Sequence, residues 1–107
     1  MPSSKSYLEF IMEQLSGLEG VSWRAMMGEY IIYYKGKIIG GIYDDRFLVK
    51  PTKSAQSMMP GTVGELPYEG AKEMLPVEDV EDRPFLEALL TALYNELPEA
   101  KKRKKRP

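Results

Sequence analysis

The sequence, 107 residues long, contains no cysteine and no histidine. Without cysteine there is no disulfide framework, and nothing points to an oxidising compartment. The two absences together remove the usual zinc ligands, the thiolate nucleophile and the imidazole base. Chemistry is left to carboxylates, lysines, tyrosines and hydroxyls. A long apolar run is missing as well, since no stretch approaches the roughly 20 residues that a membrane-spanning helix needs. None follows Met1-Pro2-Ser3-Ser4-Lys5, so the N-terminus does not read as a signal peptide. These absences lead us to expect a cytoplasmic protein that is not an enzyme, with no cofactor, no metal, no membrane and no small-molecule ligand.

What is present suits a globular body. Apolar residues make up 43% and charged residues 29%, ordinary values for a folded domain. A chain of this length buries roughly 65% of its unfolded surface, enough for one core but not for two. One domain is therefore expected over residues 1–98. The net charge of −1 hides an asymmetry. All 16 acidic residues precede position 100 but only nine of the 15 basic ones do, so the first 99 residues carry −7. Lys101, Lys102, Arg103, Lys104, Lys105 and Arg106 then follow one another without interruption. Like charges in a block repel, so residues 99–107 are expected to form a disordered basic tail. Such a block can neutralise phosphates through counterion release and bind nucleic acid without sequence preference. It has no interleaved aromatics to stack on bases. The alternative is a solubilising tail that screens the acidic body.

Hydrophobic periodicity orders the body. Leu8, Ile11, Met12 and Leu15 make one apolar stripe, predicting a helix over residues 4–15. Ser3 or Ser4 is its cap, with Ser6 and Glu9 at capping-box spacing as an alternative start. Residues 30–34, 37–43 and 46–50 read as three strands joined by turns at Lys35-Gly36 and Asp44-Asp45. A stretch over 21–26 extends the first of them. Residues 53–59 form a short helix after Thr52, 71–77 add a strand, and Asp79 or Asp82 caps a last helix. In that helix Leu86, Leu89, Leu90, Leu93 and Leu97 align on one face. The order is α-β-β-β-α-β-α, an α+β fold built on an antiparallel meander.

Alternation along the strands adds a second expectation. Phe47 and Val49 oppose Arg46, Leu48 and Lys50 in a half-buried pattern. Tyr30, Ile32 and Tyr34 face one way while Ile31 and Tyr33 face the other. Ile38 and Ile42 share one face, Ile39 and Tyr43 the opposite one. A sheet apolar on both sides needs cover on both sides. We therefore expect a homodimer or a protein partner to bury the face that helices leave open.

The stretch 24–30 is the most distinctive, reading Arg24-Ala25-Met26-Met27-Gly28-Glu29-Tyr30. Gly36-Lys37 at a turn and Asp44-Asp45-Arg46-Phe47-Leu48-Val49-Lys50 follow it. This arrangement resembles the N-terminal domain of the TfoX/Sxy family, bacterial regulators of natural competence. The family pattern is Arg-x-Met-Phe-Gly-Gly-Tyr-Gly, followed by a strand, a turn and an acidic-turn strand ending in Lys. Arg24, Met26, Gly28, Tyr30, Asp45 and Lys50 match it. Met27, Glu29 and Ile31 depart from it. The resemblance spans residues 8–97 and implies a secretion-chaperone-like fold in a stand-alone version of that domain. It implies a regulatory or adaptor role linked to competence or transcription, with no role attached to the individual motif residues.

Other features read more simply. Trp23 is the only tryptophan and suits a core or edge anchor. Gly36, Gly40 and Gly41 lack the spacing of a phosphate loop. Gly40-Gly41 marks a bulge or close backbone packing. Asp44-Asp45 suits a turn, and Glu78, Asp79, Glu81 and Asp82 suit a helix N-terminus, in preference to a cation site.

Overall fold

A computed structural model describes residues 4–97. The predicted tail over 99–107, with its six cations, lies outside the described residues. The chain runs α1 (Lys5–Gln14), β1 (Val21–Met26), β2 (Glu29–Tyr34), β3 (Lys37–Ile42), β4 (Phe47–Val49), α2 (Lys53–Met58), β5 (Leu75–Pro76) and α3 (Arg83–Glu96). The strands form one antiparallel sheet in sequential order, β1 to β5. The fold is α+β, a meander with an N-terminal helix, a short middle helix and a C-terminal helix. Residues 21–26 stand as a strand of their own, because a turn at Met27-Gly28 folds them back onto β2.

The first three hairpins close in the same way. Each turn consists of two residues at positive φ: Met27 and Gly28 at 53° and 87°, Lys35 and Gly36 at 52° and 84°, Asp44 and Asp45 at 55° and 56°. Positive φ at both central residues is the mark of the type I′ turn, whose twist matches that of the strands it joins. Register follows directly. Met26 pairs with Glu29 and Tyr34 with Lys37, while Tyr43 and Arg46 exchange backbone hydrogen bonds of 2.9 and 3.0 Å.

One irregularity decides the faces. Ile32 is opposite Gly40 but Tyr33 is opposite Ile38, so β3 carries one extra residue, Ile39, against β2. A bulge of this kind flips the alternation beyond it. The expected pairing of Ile38 with Ile42 on one face is therefore wrong. Ile39 and Ile42 are both fully buried in the main core, while Ile38 lies opposite Tyr33 on the other side. Gly40 follows the bulge, and a Cβ there would collide with the Leu48 carbonyl and come within 2.8 Å of Val49 Cα. Only glycine lets β3 and β4 approach this closely.

All three helices lie on the face that carries Ile32, Tyr34, Ile39, Ile42, Phe47 and Val49. From α1 come Leu8, Ile11 and Leu15, and from α3 come Leu86, Leu89, Leu90 and Leu93, none more than 1% exposed. Each fully buried leucine contributes roughly 1.5–3 kcal/mol, against about 0–1 kcal/mol for an exposed ion pair such as Arg83–Glu13. The stripes, not the ion pairs, hold the helices down. Caps complete the helix starts. Ser4 Oγ accepts from Tyr7 N, Thr52 Oγ1 from Ala55 N and Asp82 Oδ1 from Phe85 N, at 3.1–3.2 Å. Lys37 Nζ reaches from β3 to the Tyr94 carbonyl at 2.8 Å and sits 4.1 Å from the Tyr94 ring centre.

The end of α3 is tied to α2 by a carboxylate. Glu96 accepts from the Ser54 hydroxyl at 2.6 Å and from the Ser54 N–H at 3.1 Å. These two bonds favour the ionised form and lower the Glu96 pKa below the usual 4.5. Stability from a depressed carboxyl is present above its unfolded pKa and lost as pH falls through the folded one. The Glu96 carboxyl is therefore expected to titrate below 4.5 by NMR, and Ser54→Ala should move its midpoint up toward that value. An unchanged midpoint in the variant would contradict the assignment.

Candidate functional site

Directly opposed residues of an antiparallel pair share a face. Register therefore places Ser22, Arg24, Met26, Glu29, Ile31, Tyr33, Ile38, Gly41 and Leu48 on the side away from the helices. The two ends of this second face differ. Toward β4, Leu48 is completely buried and Tyr43 is 6% exposed, yet both fall outside the main core cluster. The half-buried pattern expected for 46–50 is thus overridden at Leu48. Toward β1, Ile31, Tyr33 and Ile38 are only half-buried and form a continuous apolar band, with Met26 half-buried and Arg24 exposed beside it.

The covered end is closed by the segment 61–74. Arg46 clasps it: Nε donates to the Tyr43 carbonyl at 3.0 Å, one terminal nitrogen to Glu65 Oε1 at 2.6 Å and the other to the Leu66 carbonyl at 3.2 Å. Glu65 and Met74 exchange backbone hydrogen bonds of 2.8 Å, which closes the segment on itself. Pro67 is buried and the Tyr68 ring lies 6.0 Å from that of Tyr43. Burial, with smaller contributions from Tyr68 and Glu29, pushes the Tyr43 hydroxyl pKa up. Tyr43 in turn lies over Gly41, where a Cβ would come within 2.6 Å of its ring and 2.7 Å of the Tyr30 carbonyl.

The motif residues do not converge on one point. Gly28 closes the first turn. Arg24 and Met26 belong to the second face, whereas Tyr30 belongs to the helix face and meets Trp23 edge-on at 5.4 Å between ring centres. Asp45 links the β3–β4 turn to the start of α1, accepting from Ser4 N at 2.8 Å and Ser4 Oγ at 3.2 Å. The nearby Tyr7 hydroxyl has its pKa raised, chiefly by burial and secondarily by Asp45. Lys50 lies where β4 ends, bordering a cavity of about 300 Å³ with Tyr43, Tyr68 and Lys72. Glu29 accepts from the Asp44 N–H at 3.1 Å and so braces the third turn.

The acidic cluster near α3 resolves as capping, with Asp82 at the cap. Among the described residues no three Asp or Glu side chains gather where a metal ion could be held. No described helix is long and apolar enough to cross a membrane. The sequence reading missed the clasp formed by Arg46, Glu65, Leu66 and Tyr68. Those residues are about twenty positions apart, and no local pattern announces contacts at that separation.

An uncharacterized 12.7 kDa protein in the trpE 5′ region of Spirochaeta aurantia is 33% identical to this chain over 105 residues. The match covers 97% of this chain and 91% of that protein. No protein-family model and no solved structure matches the chain.

Met27 holds positive φ in the first turn without the freedom of glycine, and its side chain is 95% exposed. Left-handed backbone costs an ordinary residue roughly 1 kcal/mol, and asparagine tolerates it better. Met27→Asn is expected to raise unfolding stability by about 0.5–1 kcal/mol in urea titration. A loss of stability would show that Met27 makes a contact worth more than its backbone strain.

Proposed function

The chain belongs to the family of that Spirochaeta aurantia protein, and on this premise we propose that it is a protein-interaction module of regulatory or adaptor type. The apolar band of Ile31, Tyr33 and Ile38 receives an apolar segment of a partner protein. The observation that carries this is the unequal cover of the second face among the described residues, closed over Leu48 and Tyr43 and only partial over the half-buried band. An apolar centre with tyrosine, methionine and arginine close by matches the composition of interface cores and their energetic anchors. The resemblance to the TfoX/Sxy N-terminal domain supports a regulatory setting, and a competence or transcription link belongs to this proposal.

A photoreactive residue placed at Tyr33 tests it in the native host, with Gln56 on the opposite side as the control position. A specific adduct is expected from position 33 and not from 56. Excess purified wild-type protein should suppress that adduct, whereas excess Ile38→Lys should not. Equal labelling from both positions would overturn the assignment.

A second reading draws on the six consecutive cations at 101–106. They make the chain a non-specific nucleic-acid binder through its tail, since the acidic body repels DNA. With six phosphates neutralised, the slope of log K against log salt for duplex DNA is expected to be about −5. Deleting 101–106 should abolish binding. Full binding by the truncated chain would exclude the tail as its source.

A further inference from the structure

The two edges of the sheet are unlike each other. β5 has two residues, a length too short to template another strand. β1 has six, and among the described residues it is paired on one side alone, with β2. Natural sheets protect such an edge with proline, lysine or a bulge. β1 has none of these, and its one charge is Arg24.

The Met27-Gly28 turn determines which backbone groups of β1 are already used. In a two-residue hairpin the closing pair, Met26 and Glu29, is hydrogen-bonded, and bonded pairs then alternate along the ladder. Arg24 and Ser22 thus spend their N–H and C=O groups on β2. Val21, Trp23 and Ala25 direct theirs outward. The side chains of these same three residues point to the helix face, where Trp23 remains 41% exposed.

We propose that β1 pairs antiparallel with β1 of a second copy of this chain, about a twofold axis normal to the sheet at Trp23. A twofold in that direction keeps the helices of both copies on one side, so opposed residues must share a face. The only pairing centred on Trp23 sets Trp23 opposite Trp23, and Val21 opposite Ala25. Those are the residues with outward backbone groups, so side-chain parity and hydrogen-bond parity agree. The pairing forms about six intermolecular N–H···O=C bonds and one continuous sheet of ten strands. On the second face Arg24 of each copy lies opposite Ser22 of the other, and the two guanidinium groups do not oppose one another.

Charge selects a second copy over a foreign strand. Beside β1 runs a groove of about 350 Å³ lined by Lys5, Leu8, Glu9, Met12, Glu13 and Trp23. The five α1 residues form one helical stripe, positive at its start and negative toward its end, with Glu13 also meeting Arg83 at 3.4 Å. A twofold normal to the sheet makes the two α1 helices antiparallel. The Lys5 end of each stripe then lies toward the Glu9 and Glu13 end of the other. In that symmetry the surface complements itself. The inference concerns the sheet edge and stands independently of the partner assigned to the Ile31–Tyr33–Ile38 band.

Sedimentation and light scattering of the full chain provide the test, with the fluorescence of Trp23, the only tryptophan, as a local probe. A dimer mass is expected, with Trp23 emission shifting red on dilution as the mass falls to the monomer. Ala25→Pro removes an outward N–H and no bond to β2, so it should weaken dimerisation at least about 100-fold with an unchanged circular dichroism spectrum. Should that variant fail to fold, Trp23→Lys and Trp23→Glu serve instead. Each alone should be monomeric through like-charge opposition at the axis, and their mixture should form a heterodimer. Ile38→Lys should leave the dimer intact. A wild-type monomer at every concentration, or a dimer that survives both Ala25→Pro and Trp23→Lys, overturns the proposal. Dissociation by Ile38→Lys would move the contact to the open band and overturn it too.

Discussion

The left-handed two-residue turn is the constraint on which this structure rests. It occurs three times in succession, at Met27-Gly28, Lys35-Gly36 and Asp44-Asp45. Each occurrence fixes a register, and register decides which side chains meet the helices. A slip of one residue at any of them would carry Ile32, Ile42 or Phe47 to the opposite face. The bulge at Ile39 is the single compensating irregularity. It lets Ile39 and Ile42 both reach the core and brings Gly40 to the close crossing with β4. The core is therefore as much a product of turn chemistry as of hydrophobic pattern.

The same registers make the sheet two-sided in an unequal way. One side is buried under α1, α2 and α3. Among the described residues, the other is closed only where Arg46 holds the segment 61–74 over Leu48 and Tyr43. An arginine that satisfies three acceptors at once is a more specific fastener than a single exposed ion pair, which is worth about 0–1 kcal/mol. Where the fastener ends, the apolar band begins. The candidate surface is thus defined by the reach of one loop, and of the residues singled out over 24–50 only Arg24 and Met26 border it.

Several motif residues have a structural account that needs no ligand. Gly28 closes a turn, Asp45 anchors the first residues of α1 through Ser4, and Tyr30 packs edge-on against Trp23. Glu29 braces the third turn. A motif of this kind records how a hairpin is built and joined to a helix. The proposed functions lie at the margins of that construction, its half-buried face and the edge that, among the described residues, is paired on one side alone.

Helices α1 and α3 were legible in the sequence because their stripes, caps and punctuation are local. So were the meander and two of its turns, since Lys35-Gly36 and Asp44-Asp45 carry residues that accept positive φ. Met27-Gly28 was less legible, because methionine gives no such indication and its neighbours continue a strand pattern. The faces of β3 were misread, as a bulge is set by the pairing of two strands and not by the residues of one. Burial of Leu48 and the clasp at Arg46 depend on partners about twenty residues away. The sequence by itself therefore determined the elements and their order, through periodicity and backbone preference over a few residues. Only the tertiary structure decided which side of the sheet is closed and which edge is left unpaired among the described residues, because both follow from where distant segments come to rest.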